Sequence, residues 1–270
     1  QKMLHGKDFA LKPNGIHHQQ GSTSMLNYDD MILTDDKDNT VDFFARTIKT
    51  YKKIGISWSC GADSTFTLWW FAKCLHDNNL TDHYLLPSSG LEFSMRYTPY
   101  KEMEAVLTLL KKQFPKANIL PHHTYDFMEN PNIDDHKGLT IWENHQKLIN
   151  SNKVDIIINS VAMAPNIKVI DLGGITAQRD KFGMAKKKNA HKTPWKNVDK
   201  QFIAYQYKKY NLLDTLYPLT HSCVLPDYYG NPCKNCNWCK EKYWGFGMYD
   251  RKQQKKTGCH YYGERVLKNA

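Results

Sequence analysis

A chain of 270 residues, at roughly 100–200 residues per domain, allows one large domain or two small ones and can bury a full hydrophobic core without staples. A hydrophobic fraction of 41% with 13% aromatic residues excludes a mainly disordered chain, and 37 basic against 27 acidic side chains leave a net charge of +10. That surplus favours anionic partners such as nucleotides, phosphates or nucleic acid. No apolar run approaches the ~20 residues needed to cross a bilayer; the best candidates are broken by Lys73 or by Asn159 and Asn166. Residues 1–20 lack the apolar stretch of a signal peptide, so the expectation is a cytoplasmic protein with no membrane partner.

In chain order, residues 1–40 carry few apolar positions and several turn formers, among them Pro13, Gly15, Gly21 and Asp38, and read as an arm or loose cover. Val41, Phe43, Phe44, Ile48 and Tyr51 predict a helix, and 54–58 a short buried strand. A helix over 64–79 follows, with Phe66, Trp69, Trp70 and Leu75 at helical spacing, then a strand near 83–86. Pro99 suits the first turn of a helix striped by Met103, Val106, Leu107, Leu110 and Phe114, with a strand at 118–120 behind it. A helix over 139–149 leads into a β-branched strand at 154–159. Helices alternating with short apolar strands predict an α/β fold with an open, doubly wound parallel sheet, whose ligands bind beyond the carboxyl ends of the strands. Residues 172–197, with Lys186, Lys187 and Lys188, read as a surface loop, 199–210 as a helix, and 218–250 as a module rich in cysteine and aromatic residues. The expected division is an arm at 1–40, the α/β domain at 41–217, a metal-binding module at 218–250 and a basic tail at 251–270.

The loop after the first strand, Ser59-Cys60-Gly61-Ala62-Asp63-Ser64-Thr65, places small residues and hydroxyls at a helix N-terminus. Free N–H groups and the helix dipole favour an anion there; the plain alternative is that Asp63 or Ser64 only caps the helix. The segment resembles the Ser-Gly-Gly-x-Asp-Ser loop of the ATP pyrophosphatase (PP-loop) superfamily, which cleaves ATP between the α and β phosphates. That resemblance implies an adenine nucleotide alpha hydrolase-like sheet, ATP and Mg²⁺ held at residues 59–65, and a catalytic role for Asp63. Cys60 departs from the pattern, standing where the superfamily has glycine, and its Cβ narrows the room for phosphate. The loop is neither a Walker A sequence nor a dinucleotide fingerprint.

Seven cysteines make an odd inventory for a disulfide framework, and four of them, Cys223, Cys233, Cys236 and Cys239, cluster in a short stretch. This clustering reads as a metal site in a reducing compartment. Two successive two-residue gaps aim thiolates at one ion, and Cys223 closes a tetrahedron. By donor type alone, four thiolates suit structural zinc and an iron–sulfur cluster equally.

The same tail resembles the 7-cyano-7-deazaguanine synthase family, whose Thr-Trp-Ser-Cys, Pro-Cys-x2-Cys-x2-Cys, Arg and Gly-Phe are matched here by Thr220-His221-Ser222-Cys223, Pro232-Cys233, Cys236, Cys239, Lys242 and Gly245-Phe246. His221 for Trp and Lys242 for Arg are departures. Upstream, Pro194 and Asp199-Lys200 before a helix resemble the family's lead into that module. The resemblance implies Zn²⁺ on the four cysteines and Lys200 as the catalytic cation. It also implies an ATP-dependent C–N ligase that adenylates a carboxylate and aminates it with ammonia, turning 7-carboxy-7-deazaguanine, or a related 7-deazaguanine in nucleobase modification, into the nitrile. An exposed helix-start lysine is the plain alternative for Lys200. The expected partners are a 7-deazaguanine-type small molecule and ammonia, with a homodimer admitted and nucleic acid admitted but not favoured.

The middle of the chain lacks the family's Tyr-Pro-Asp-Cys-Arg stretch, and Ser89-Gly90-Leu91-Glu92-Phe93 is closer to the Thr-Gly-x-Glu-Phe of phosphoadenylylsulfate reductases. Two other readings therefore stay open. One is PP-loop sulfur transfer, with Cys60, Cys74 or Cys259 as nucleophile and iron–sulfur on the four cysteines. The other is a zinc-containing nucleic-acid-binding module using Lys186 to Lys188, the basic residues of 251–256 and the aromatic residues Trp238, Tyr243, Trp244, Phe246 and Tyr249. His17-His18 and His122-His123 read as exposed loop residues, and Asp171, Arg179 and Asp180 as parts of a solvated loop.

Overall fold

The computed structural model describes residues 26–91, 99–126, 136–163, 191–223, 226 and 231–250. A 3₁₀ turn at Tyr28–Met31 leads into a small antiparallel hairpin, β1 (Leu33–Thr34) and β2 (Thr40–Val41). The α/β alternation then runs α1 (Phe43–Thr50), β3 (Lys53–Ser57), α2 (Ala62–Asp77), β4 (Tyr84–Leu91), α3 (Tyr100–Gln113), β5 (Asn118–Ile119), β6 (His123–Asp126), α4 (His136–Asn150), β7 (Ile156–Ile158) and β8 (His191–Lys192). Helix α5 (Lys200–Lys209), a 3₁₀ turn at Tyr217–Leu219 and helix α6 (Asn237–Phe246) complete the described elements.

Every pairing in the main sheet is parallel. β5 pairs with Tyr84 and Leu85 and β6 with Ser88 to Leu91, so both lie on one side of β4. Pro121, which has no N–H to give a ladder, falls in the gap between them. The order across the sheet is therefore β5/β6, β4, β3, β7, β8. The chain builds outward from β3 in one direction, then returns to add β7 and β8 on the other side. The reversal lies between β3 and β7, and in open parallel sheets that crevice is where ligands sit.

Alternation along the strands sorts side chains onto two unequal faces. Ile54, Ile56, Leu85, Ile156 and Ile158 join the large core beneath α1, α2, α3 and α5, whereas Leu86 and Ile157 turn to a smaller cluster with Leu148 of α4 and Val154. Gly55 lies between these faces, and a Cβ there would come within 2.9 Å of the Ile157 side chain. Helix α2 is apolar almost all round, as a central helix must be. Its Phe66, Trp69 and Trp70 meet Tyr207, Tyr210 and Trp195 in tilted ring contacts, each such ring pair adding about 0.5–1.5 kcal/mol beyond burial. Met31 and Leu33, from the stretch expected to be a loose cover, are fully buried in this same core.

Residues 123–126 form a strand that their polar sequence, His-Thr-Tyr-Asp, conceals. His122 and His123 are not exposed loop residues: both are partly buried, and His122 Nε2 lies 2.7 Å from Ser89 Oγ with its ring against Trp58. The end of the expected surface loop at 172–197 is structured, because His191–Lys192 pairs with β7 and Trp195 is fully buried with its indole N–H donating to Thr67 Oγ1 at 2.9 Å. One tryptophan among polar residues gives no periodicity to read, yet its burial is enough to anchor the segment. Asp171, Arg179, Asp180, Lys186 to Lys188, His17, His18, Cys259 and the tail at 251–270 lie outside the described residues. Among the described residues, no helix is long and apolar enough to cross a membrane.

Candidate functional site

The loop from Trp58 to Gly61 leaves the carboxyl end of β3 at the reversal point and enters α2. Trp58 N–H donates to the Ser88 carbonyl at 2.8 Å, and its indole N–H to Thr65 Oγ1 at 3.0 Å, so the loop's first residue is held from both sides. Cys60 adopts φ +60°, the left-handed region that glycine enters without cost, which explains why a glycine suits this position in the loop it resembles. The Cys60 side chain does not crowd the mouth. It is fully buried, with Sγ donating to the Leu219 carbonyl at 3.4 Å, while the Cys60 carbonyl accepts from His221 N–H at 2.9 Å.

Helix α2 opens with Gly61 as its N-cap and without a side-chain cap. Its first intrahelical bond runs from Thr65 N–H to the Gly61 carbonyl at 3.0 Å, so the N–H groups of Ala62, Asp63 and Ser64 precede the ladder at the positive end of the helix. Ser64 Oγ instead accepts from Ser59 N–H at 3.2 Å and touches Ser59 Oγ at 3.2 Å, fixing the curvature of the loop. Beside Gly61, where a Cβ would be 3.3 Å from Ser59 Oγ and 3.9 Å from Ser222 Oγ, two hydroxyls face the glycine. Ser222 Oγ is buried and makes no hydrogen bond among the described residues.

Asp63 does not cap the helix; Lys200 Nζ meets its Oδ2 at 3.0 Å. Lys200 is the first residue of α5, whose N-cap Asp199 accepts from Gln201 and Phe202 N–H. It is 4% exposed, which overturns the alternative of an exposed helix-start lysine. A second carboxylate, Glu241 of α6, lies 3.6 Å from the same ammonium and is fully buried. α6 approaches this closely because residue 245 is glycine: a Cβ there would fall 2.5 Å from Lys200 Cγ and 3.1 Å from its carbonyl oxygen. Asp63 and Glu241 thus bring two carboxylates to one ammonium beside the start of α2.

The four cysteines converge. Their sulfurs all lie within 4.8 Å of one another, with Cys233 Sγ and Cys239 Sγ 4.0 Å apart; a tetrahedron with Zn–S bonds of ~2.3 Å needs sulfurs roughly 3.8 Å apart. Cys236 is the N-cap residue of α6, its N–H donating to Cys233 Sγ at 3.2 Å, and Cys233 N–H donates to Cys223 Sγ at 3.2 Å. Such N–H donors favour thiolates, whereas the Cys239 thiol is pushed up by its hydrogen bond with Cys223, by burial and by Cys236. Four convergent sulfurs, with backbone donors aimed at two of them, fit a thiophilic cation that takes all four positions.

Of the remaining cysteines, Cys60 and Cys74 are poor nucleophiles. Cys60 and Cys74 are buried, and desolvation pushes both thiols far above the ordinary thiol range. Glu241 carried no signal in the sequence: a single acidic residue between two lysines looks like solvated surface, and only the docking of α6 against α5 puts it inside.

No family model matches this chain, and no curated protein matches it by sequence. Similar solved structures include the U34-tRNA thiolase NcsA from Methanococcus maripaludis with its [4Fe-4S] cluster, at a TM-score of 0.42 and 10% identity over 80% of this chain and 73% of that one. NMN synthetase from Francisella tularensis is similar at a TM-score of 0.39 and 13% identity, covering 81% of this chain and 84% of that one.

Proposed function

We propose that this chain is an ATP-dependent, AMP- and pyrophosphate-forming enzyme of the PP-loop type that adenylates a carboxylate and aminates it. The observation that carries this reading is the meeting of Lys200 with Asp63. Two residues 137 positions apart, each singled out by its motif, share an ion pair at 3.0 Å beside a helix N-terminus in the reversal crevice of the sheet. In this reading the N–H groups at the start of α2 and the hydroxyls of Ser59 and Ser64 receive the departing pyrophosphate, while Lys200 faces the α-phosphate. A carboxylate oxygen attacks the α-phosphorus as the bond to the bridging oxygen of pyrophosphate breaks. Ammonia then displaces AMP from the mixed anhydride, forming the amide. Adenylation of the amide oxygen by a second ATP, with loss of AMP and two protons, yields a nitrile. Positioned donors meeting the developing charge are the protein's main contribution, and Mg²⁺ supplies further charge neutralisation.

The tail motif and its resemblance support 7-carboxy-7-deazaguanine, or a related 7-deazaguanine, as the acceptor. Zinc on Cys223, Cys233, Cys236 and Cys239 would be structural, since four protein ligands leave no open position. The test is pyrophosphate release from ATP across a panel of carboxylates that includes 7-carboxy-7-deazaguanine with ammonium. AMP and pyrophosphate with that acceptor are expected. ADP as product would refute the reading, and turnover with sulfide but never with ammonia would replace amination by sulfur transfer.

A further inference from the structure

Helix α6 carries a buried charge that neither the metal centre nor the nucleotide loop accounts for by itself. Lys242 is fully buried; its ammonium donates to Thr220 Oγ1 at 2.8 Å, contacts Asp250 Oδ1 and lies 4.4 Å from the centre of the Tyr217 ring. The other oxygen of Asp250 accepts two backbone N–H groups, from Ser222 at 2.9 Å and Cys223 at 3.0 Å. Every group in this pair therefore grips the segment 217–223. One end of that segment is the metal ligand Cys223. The other side of it meets the nucleotide loop, through His221 N–H to the Cys60 carbonyl and the Leu219 carbonyl to Cys60 Sγ.

We infer that Lys242 and Asp250 are positioning residues that couple the four-cysteine centre to the loop at 58–65, so that metal binding sets the geometry of the anion site. The physical argument is geometric. Metal fixes Cys239, one helical turn before Lys242, and Cys223, next to Ser222. The ion pair transmits that placement to residues 220–222, whose backbone and Ser222 hydroxyl flank Cys60 and Gly61. A buried ammonium held by one carboxylate, one hydroxyl and one ring face cannot drift, because displacement weakens these contacts with no water to replace them. The loop needs this outside support because Cys60 is held at a positive φ without being glycine.

This inference shares with the functional reading only the claim that the loop binds nucleotide, and its main test does not depend on that claim. Amide hydrogen exchange is to be followed in the wild-type chain, metal-loaded and chelator-stripped, and in metal-loaded Lys242→Met and Lys242→Arg variants, with peptides from β3 as an internal control. Stripping metal is expected to speed exchange at 219–223 and at 58–65 by at least tenfold while β3 stays protected. Lys242→Met is expected to reproduce the loop effect with metal still bound, and Lys242→Arg to restore protection. Unchanged exchange at 58–65 on metal removal overturns the coupling, as does wild-type protection in Lys242→Met. Should Lys242→Met fail to fold, the wild-type comparison alone decides. Mg-ATP affinity measured on the same samples separates the two claims: loop exchange that follows the metal in a protein with no ATP affinity keeps the coupling and removes the nucleotide reading.

Discussion

Lys200 sits between the carboxylates of Asp63 and Glu241, with almost no water to share the charge. Lys200→Ala therefore acts twice. It takes from two buried acidic groups the ammonium they share, a change that costs about 3–5 kcal/mol when a buried pair loses one partner, and it removes the cation proposed to face the α-phosphate. Denaturant unfolding should show the first effect, and pyrophosphate release should fall at least about 100-fold. At Cys60 the expectation runs the other way. Glycine would remove a left-handed penalty of roughly 1–2 kcal/mol while giving up a buried sulfur and adding unfolded-state freedom, so Cys60→Gly should shift stability by no more than about 1 kcal/mol. A β-branched side chain at the same φ has no comfortable rotamer, and Cys60→Val should lose more than about 2 kcal/mol. Urea midpoints of the two variants check both statements.

Helix α6 joins two jobs on one short element: Cys236 and Cys239 near its start, Glu241 and Gly245 against Lys200 further on. Gly245→Ala places a methyl group against Lys200 carbon and carbonyl atoms that cannot all retreat. A loss of about 1–3 kcal/mol is expected from overpacking, with turnover impaired while metal stays bound. Cys236→Ala should instead release metal and loosen α6; metal analysis of the purified protein should find about one zinc per chain in the wild type and none in the variant. A brown wild-type protein containing iron and sulfide would replace zinc by a cluster. Much of this was legible beforehand. Cysteine spacing signalled the convergence of the four thiols, because a tetrahedral site demands nearby thiolates, and β3, α2, α3 and β7 declared themselves through periodicity. β6, β8 and the buried Trp195 did not, since short polar segments take their structure from neighbours in space rather than from their own pattern. For the same reason the loop at 59–65 could be read while its partner carboxylate at 241 could not.

The sheet as a whole imposes a pH dependence. His122 stands at the junction of β5 and β6 with its ring against Trp58, and desolvation, with the nearby His123, pushes its pKa down to about 4. An imidazole that titrates near 6.5 when unfolded and near 4 when folded binds more protons in the unfolded chain throughout that window. Stability should therefore be fully present above about pH 6.5 and decline as pH falls toward 4. Below that, Asp250 continues the trend: burial alone would raise its pKa, but the Lys242 charge, His221 and the hydrogen bonds from Lys242 and Ser222 N–H together outweigh burial and hold it below the ordinary carboxylate value. Unfolding midpoints measured from pH 7 to 4 should show the decline, and His122→Gln should flatten its upper part.

The hydrogen bond from Cys60 to Leu219 spans 159 residues of chain. Pairings so distant in sequence are among the last a protein makes. During synthesis, β3 and α2 leave the ribosome well before the N–H of His221, the carboxylate of Glu241 or the last cysteine ligand exists. A nascent chain thus holds a folding sheet with the loop at 58–61 still unsupported, and a product truncated before residue 219 would carry the loop without its buttress. On the proposed reading, competence for ATP would be withheld until the module spanning 219–250 has been made and docked, so that fragments and unfinished chains leave the nucleotide pool alone.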